Sequence, residues 1–300
     1  MSSNSSQQKT DGRNLFFTIV GLVIVLLILA IFFEKKSATI MPKVTVKSQE
    51  VENSQVIQKT AVIPKTTVNI QSMVTRFPPL PDFNLYKTVK KRKAAFIDYL
   101  TPIVEYQNVK ILWDRGHLEQ ILRLIANGET LSDTDEKWLE QLAKKYDVEW
   151  KEGNPGVVVM KLARRVDIIP VSLAIVQAAK ESSWGRSRYA VQCNNLFGQW
   201  CYDEGCGVIP LQRLPDAIHE VKKFKSANDA TRSYIHNLNT HPQYKTLRKI
   251  RQQLRMYNRS ITGKALADGL LYYSERRETY VEEVKAMIRQ YRLFQERRTV

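Results

Sequence analysis

The hydrophobic pattern sets one segment near the start of the chain apart from the rest. Residues 15–33 form an apolar run without a charged residue, close to the ~20 residues that a helix needs to cross a bilayer. The run is longer than the apolar part of a cleavable signal peptide, and Lys35 and Lys36 follow it without a small-residue cleavage pattern. We therefore predict an uncleaved transmembrane anchor at 15–33, preceded by a disordered polar tail at 1–14.

Between the apolar run and residue 84 the chain has no regular hydrophobic period. Residues 34–83 are rich in Lys, Thr, Val, Ser and Gln, and proline recurs towards their end. Such a composition buries little apolar surface and favours an extended chain. The sequence thus predicts a flexible linker at 34–83 and a folded domain at 84–300.

Downstream of the linker, apolar residues recur every three or four positions, which is the period of an amphipathic helix. Pro170 suits the first position of one such helix, and Gly185 suits the position just past its end. The predicted helices cover 89–108, 115–127, a segment beginning after the N-cap Ser132, 157–166, the segment that ends near Glu181, 228–238, 244–256, 261–271 and 279–295.

One interval departs from the helical period. Residues 194–202 alternate bulky and small side chains, and Gly205 and Gly207 follow before a short apolar run. Alternation punctuated by glycine is typical of a β-hairpin or of a small sheet with two or three strands. The predicted fold class is therefore α+β, a mostly helical domain with a small β-hairpin lobe.

The charge of the chain narrows the choice of partner. Its 300 residues carry a formal charge of +16 at pH 7, which favours an anionic partner such as a nucleic acid, a membrane surface or an acidic polymer. The basic residues are scattered and do not form the basic and aromatic motif of a nucleic-acid module. We expect no nucleic-acid partner.

One glutamate has the surroundings that a general acid requires. Glu181 is predicted in the last turn of its helix, on the same face as Gln177, four residues earlier. The negative end of the helix dipole and a neighbouring indole, that of Trp184, both disfavour the ionised carboxylate. Both effects raise the pKa, as general acid catalysis near neutral pH demands.

The three cysteines favour a disulfide over a metal site or a nucleophile. Cys201 and Cys206 flank a four-residue tip, and in an oxidising compartment they would close a short loop. Structural zinc sites prefer paired C-x-x-C spacing, which the cysteines and His219 lack. Cys193 with His219 or His236 as base would suit a cysteine amidase, although the activating signature is missing. We expect neither a metal nor a cofactor.

Several ordered motifs resemble the glucosaminidase family that cleaves peptidoglycan, which includes flagellar muramidases and autolysins. They lie at 169–174, 177–179, 181–185 and 194–198. Within that family the chain is similar to the Bax subgroup of Gram-negative bacteria. The motifs that carry this closer resemblance lie at 198–201, 205–207, 236–241 and 273–276, and the similarity covers about 84–295.

The resemblance implies a lysozyme-like α+β fold and hydrolysis of the β-1,4 bond between N-acetylglucosamine and N-acetylmuramic acid. It places Glu181 at the position of the general acid. Glycosidases usually use a second carboxylate, for which Glu220 is favoured and Glu204 is the alternative. Tyr273 is the nearest match to a tyrosine that lines the family's cleft, and Tyr280 is the next.

Aromatic faces stack on sugar rings, and asparagine side chains can donate to acetamido carbonyls. Phe197 and Trp200 have an alternative role as core residues of the hairpin. The residues expected to bind substrate are Gln177, Trp184, Asn194, Asn195, Phe197, Trp200 and Tyr280.

Three alternatives to a glycoside hydrolase stay open at this point. A lytic transglycosylase can work with a single glutamate, an amidase would cut the stem peptide, and a non-catalytic scaffold protein would keep the cleft without turnover. The expected partners are peptidoglycan glycan strands and, through residues 15–33, a membrane. Together with the anchor, this predicts a single-pass protein of the inner membrane with its catalytic domain in the periplasm.

Overall fold

The computed structural model describes residues 77–150, 153–211, 213 and 216–296, with side chains up to residue 290. The predicted tail, the predicted anchor at 15–33 and most of the predicted linker lie outside these residues. Among the described helices, none combines the length and apolar character needed to cross a bilayer. Phe83, the last residue of the predicted linker, is fully buried and packs edge-on against Phe96.

The described part of the chain is mostly helical with one small sheet, so the predicted α+β class is confirmed. Short 3-10 helices lie at Phe83–Leu85, Pro242–Tyr244 and Asp268–Leu270. In chain order, the α-helices and β-strands are α1 Val89–Ala126, α2 Asp133–Lys145, α3 Pro155–Arg165, α4 Val171–Glu181, α5 Arg188–Cys193, β1 Trp200–Cys201, β2 Gly207–Val208, β3 Glu220–Lys222, α6 Ala227–Thr240, α7 Lys245–Met256, α8 Gly263–Ala267 and α9 Arg277–Glu296.

The longest helix, α1, joins two segments that the sequence predicts as separate helices. It begins at the N-cap Thr88, whose side chain accepts from the backbone N–H of Lys91 at 3.2 Å. The intervening residues 109–114 continue the helix, because Ile111 keeps the apolar face and is buried in the core. The sequence predicted two separate helices at 89–108 and 115–127, and this prediction was wrong because no break separates them.

Helix α4 is the central element of the core, and it carries the candidate acid at its end. All residues from Leu173 to Ala179 are buried. The helix packs against α1, α8 and α9, which explains why its apolar residues are not confined to one face. At the start of α8, a β-carbon on Gly263 would lie 2.5 Å from Ser172 Oγ, so the close approach of α8 and α4 requires glycine.

A buried ionic cluster fixes the chain where it enters α4. Arg251 of α7 is only 1% exposed, and it donates to the carbonyl oxygens of Asp167 and Ile168. Burial alone would raise the pKa of Asp167, but hydrogen bonding from Arg255 and the charges of the neighbouring arginines Arg251 and Arg115 hold it below the ordinary value. The cluster therefore ties α7 to the segment that positions the helix of the candidate acid.

The β-lobe is a three-stranded antiparallel sheet in the order β1-β3-β2. Trp200 of β1 and Val208 of β2 both lie opposite Val221 of β3. Of the predicted alternatives, a hairpin or a small sheet, the structure confirms the small sheet, in which β3 lies between β1 and β2. The close pairing requires Gly207, because a β-carbon there would lie 2.0 Å from the carbonyl oxygen of Val221.

Candidate active site

The helix of the candidate acid ends in a tight left-handed turn. Ser183, Trp184 and Gly185 have φ values of 51°, 63° and 77°, a conformation that costs energy for residues other than glycine. Ser182 stabilises the turn, because its Oγ accepts from the backbone N–H of Gly185 at 2.8 Å. Backbone strain of this kind tends to occur at functional sites. The turn leaves Glu181 as the last residue of α4.

The two carboxyl oxygens of Glu181 have different neighbours. Oε1 accepts a hydrogen bond from the hydroxyl of Tyr280 at 2.9 Å. Oε2 lies beside Gly198, where a β-carbon would be 3.5 Å away. Gly198 is solvent-exposed and has a φ of 65°. The carboxyl therefore has one oxygen fixed on the protein side and another next to the surface.

Burial raises the pKa of Glu181 above its ordinary value, and the hydrogen bond from Tyr280 and the charge of Lys180 oppose this effect in part. Lys180 itself pairs with Glu283 of α9 and lies 5.3 Å from the centre of the Tyr280 ring. The direction of the shift is the one that a general acid needs.

A cluster of tyrosines surrounds the carboxyl. The rings of Tyr273 and Tyr280 stack with centroids 5.5 Å apart, and Tyr244 lies 6.1 Å from Tyr273. The Tyr273 hydroxyl donates to the carbonyl oxygen of Phe197 at 2.9 Å, so it holds the segment beside Gly198. The apolar surroundings of Glu181 thus include tyrosine rings from several parts of the chain.

Gln177 lies one turn before Glu181, as predicted from their spacing, but its side chain is fully buried. Its amide accepts from the Tyr234 hydroxyl at 2.6 Å and donates to the Tyr280 hydroxyl at 3.1 Å. Tyr234 also stacks on Phe197 with centroids 4.0 Å apart. Tyr234 was not predicted as a site residue, because no sequence motif links a residue of α6 to one of α4.

The β-lobe carries the two candidates for a second carboxylate. Glu220 is buried, and its two oxygens accept from the backbone N–H groups of Gly205 at 3.1 Å and Gly207 at 2.7 Å. Gly205 lies in the loop that a disulfide between Cys201 and Cys206 closes, and Gly207 follows this loop directly at the start of β2. Glu204 is exposed within the same loop. Glu220 therefore fastens the loop that presents Glu204.

Both predicted asparagines make hydrogen bonds that shape the site. Asn195 is buried, donates to the carbonyl oxygens of Gln199 and Lys222, and accepts from the backbone N–H of Gln199 at 3.0 Å. Asn194 has a left-handed φ of 51° at the end of α5, and it donates to the carbonyl oxygen of Phe224 at 3.0 Å. These contacts link the β-lobe to the helical part.

The predicted aromatic residues have different environments. Trp200 is 55% exposed, and its ring stacks on His219 with centroids 4.2 Å apart. Phe197 is buried in the core. Trp184 packs against Phe96 and lies 4.9 Å below the ammonium of Lys93. Of these three rings, that of Trp200 is the most accessible to a ligand.

The environments of the three cysteines disfavour both nucleophilic catalysis by a thiolate and metal binding by thiolates. Cys193 is buried, and burial raises its pKa, so the thiolate that a nucleophile requires is disfavoured. The sulfur atoms of Cys201 and Cys206 and a carboxylate oxygen of Glu220 lie within 4.8 Å of one another. Because the two sulfur atoms are joined to each other, they are not thiolate ligands.

A mostly helical α+β domain with a partly buried glutamic acid, whose pKa burial raises, is an arrangement that glycosidases use. Residues 157–293 match the Glucosaminidase family, described as mannosyl-glycoprotein endo-beta-N-acetylglucosaminidase. The chain is also 34% identical over 208 residues to protein bax of Escherichia coli (strain K12), which covers 69% of this chain and 73% of that protein. No solved structure matches the chain. The chain belongs to the Bax-type glucosaminidase family, which confirms the resemblance found in the sequence.

Proposed function

We propose that the chain is a peptidoglycan hydrolase that cleaves the β-1,4 bond between N-acetylglucosamine and N-acetylmuramic acid, with Glu181 as general acid. The surroundings of Glu181 carry the proposal. Its carboxyl is partly buried, burial raises its pKa, and Oε2 lies beside the exposed Gly198. A raised pKa keeps the carboxyl protonated to a higher pH, and a protonated carboxyl can donate to the oxygen of the leaving sugar.

In the proposed reaction, the proton of Glu181 moves to the glycosidic oxygen as its bond to the anomeric carbon breaks. The sugar that remains develops oxocarbenium character, which a second carboxylate stabilises or captures. Water then completes hydrolysis. A separation of about 5–5.5 Å between the two carboxyls leads to retention, and about 6.5–9.5 Å to inversion.

We propose that the second carboxylate is either Glu220 or Glu204. Glu220 already accepts two backbone N–H groups, which favours a part in holding the loop. Glu204 is exposed in that loop and is therefore accessible to water or sugar. Substitution of each by glutamine separates the roles. Loss of turnover in a variant whose melting temperature is unchanged identifies the reacting carboxylate.

The remaining features fit a substrate outside the cytoplasm. The exposed face of Trp200 can stack on a sugar ring, and the charge of +16 favours a polymer with free carboxylates. A disulfide between Cys201 and Cys206 suits an oxidising compartment. We propose that residues 15–33 anchor the chain in the inner membrane, with the domain in the periplasm and 34–83 as a linker.

The test is digestion of purified sacculi by the full-length chain in mild detergent, followed by mass spectrometry of the fragments. The proposal predicts new reducing ends on N-acetylglucosamine. Fragments with 1,6-anhydro ends would instead identify a lytic transglycosylase, and cleaved stem peptides an amidase. Binding to sacculi without any new fragment would support a scaffold role and contradict the proposal.

A further inference from the structure

A chain of three hydrogen bonds, two of them buried and the last partly buried, ends at the candidate acid. The hydroxyl of Tyr234 donates to Gln177 Oε1 at 2.6 Å, Gln177 Nε2 donates to the hydroxyl oxygen of Tyr280 at 3.1 Å, and the Tyr280 hydroxyl donates to Glu181 Oε1 at 2.9 Å. Tyr234, Gln177 and Tyr280 are all at most 2% exposed. Water therefore has little access to the polar groups of these three side chains.

The chain of hydrogen bonds has a direction, because each tyrosine hydroxyl has a single proton to donate. The proton of Tyr234 points to the amide oxygen of Gln177, which turns the amide nitrogen towards Tyr280. The oxygen of Tyr280 receives that N–H, so the proton of Tyr280 goes to Glu181. Burial and the charge of Glu181 raise the pKa of Tyr280, so its hydroxyl keeps this proton at neutral pH.

We propose that Gln177 is a positioning residue that orders these protons, so that neutral Glu181 carries its own proton on Oε2. Oε1 is occupied as an acceptor from Tyr280, which leaves Oε2, beside Gly198, as the oxygen that carries the acidic proton. The inference rests on the proposed function. In this inference Gln177 does not contact the substrate, but it directs the proton of Glu181 towards the glycosidic oxygen.

The ionisable groups around Glu181 come from every element packed near it. Lys180 belongs to the same helix and pairs with Glu283 of α9. The others are tyrosines whose pKa values are raised chiefly by burial, so they are neutral near pH 7: Tyr234 of α6, Tyr244, Tyr273 and Tyr280. Burial and the charge of Lys180 act on the pKa of Glu181, whereas the orientation of the hydrogen-bond chain decides which of its two oxygens carries the proton.

The variants Gln177→Met and Gln177→Glu test the proposal in the full-length chain with sacculi as substrate. Methionine keeps the bulk but loses both hydrogen bonds, and we expect kcat to fall about tenfold, part of the roughly 10²–10⁴ that general acid catalysis contributes, with KM unchanged. A buried glutamic acid at 177 is neutral at acidic pH, where it can accept from Tyr234 and donate to Tyr280. It should therefore restore kcat below its own pKa.

Two further variants keep the test independent of folding defects. Tyr234→Phe removes only the hydroxyl that orients Gln177 and retains the ring stacked on Phe197, so kcat should fall in the same direction. Tyr99→Phe removes a hydroxyl that donates to the carbonyl oxygen of Pro78, outside the site, and should match wild type. The proposal is overturned if Gln177→Met keeps the kcat of wild type. If Gln177→Met does not fold, Tyr234→Phe takes its place, and wild-type kcat in that variant overturns the proposal.

A second readout separates this inference from the proposed function. The carboxyl pKa of Glu181 can be followed by NMR with carbon-labelled glutamate, with Glu181→Gln to assign the signal. Loss of the ordered donor from Tyr280 should raise this pKa in Gln177→Met, because the hydrogen bond stabilises the ionised form. If wild type is inactive on sacculi but the pKa of Glu181 rises in Gln177→Met, only the proposed function is rejected. If wild type is active but the pKa of Glu181 does not rise in Gln177→Met, the role of Gln177 is rejected.

Discussion

Gly198 lies beside the second carboxyl oxygen of Glu181: a β-carbon at position 198 would lie 3.5 Å from Oε2. The two residues are brought together by the end of α4 and by the loop that precedes β1. If Glu181 is the proposed acid, a side chain at 198 would narrow the space in which a sugar oxygen approaches Oε2. The pair therefore connects the local backbone conformation directly with the proposed chemistry.

The first prediction follows from this contact. Gly198→Ala should cost about 1–2 kcal/mol of stability, because φ is 65°, and it should also reduce kcat/KM by placing a methyl group beside Oε2. Gly128→Ala is the matched control, since Gly128 has a φ of 75° with nothing within 4 Å of the added carbon. Thermal melts should show similar losses for both, and only Gly198→Ala should lose activity. Equal activity in the two variants would contradict the proposed approach route.

A second prediction concerns the stability cost of the raised pKa of Glu181. Its folded pKa lies above its ordinary value of 4.5, so its contribution to stability is complete below that value and is lost as pH rises through the folded pKa. Glu181→Gln should therefore raise the melting temperature at neutral pH and have little effect at about pH 4. Glu105→Gln provides the control, since it removes an exposed carboxyl of α1 that lies outside the site. A neutral-pH melting temperature below that of wild type would argue against this account.

The third prediction concerns the disulfide loop. Glu220→Gln should lower the free energy of unfolding by about 1.5–3 kcal/mol, because a charged acceptor of two backbone N–H groups is replaced by an amide. Glu204→Gln, at an exposed position in the same loop, should change it by less than about 0.5 kcal/mol. Urea unfolding of both variants checks the difference, and equal values would show that Glu220 does not fasten the loop.

The fourth prediction tests the cluster that positions α4. Arg251→Met should destabilise the chain by about 3–5 kcal/mol, because it removes a buried cation beside Asp167 together with its hydrogen bonds to carbonyl oxygens. Arg232→Met removes a largely exposed arginine paired with Asp229 and should cost at most about 1 kcal/mol. Chemical denaturation of the two variants measures both losses. A small loss in Arg251→Met would mean that α4 is positioned by packing alone.

The features that the sequence predicts well are local ones. The end of α4 at Glu181 follows from an apolar run, Pro170 before it and Gly185 after it, all within one short segment. The α+β class follows in the same way from the change of hydrophobic period near residue 194. Such signals depend on neighbours in the chain, so a single sequence contains them.

The features that it does not predict depend on residues far apart in the chain. Tyr280 is 99 residues from Glu181, and Tyr234 is 57 residues from Gln177. Likewise, β3 enters the sheet between two strands that precede it, which no alternation pattern encodes. The role of Gln177 illustrates the consequence: its spacing from Glu181 suggests contact with substrate, whereas its burial between two tyrosines indicates a part in orienting protons.

The measurement that tests the central claim most directly compares wild type with Glu181→Gln on purified sacculi at the same pH, counting new N-acetylglucosamine reducing ends over time. The account predicts steady release by wild type and a loss of at least about 100-fold in the variant, whose amide cannot supply an acidic proton. Release at similar rates by the two proteins would contradict it, because the carboxyl at the end of α4 would then not be the acid.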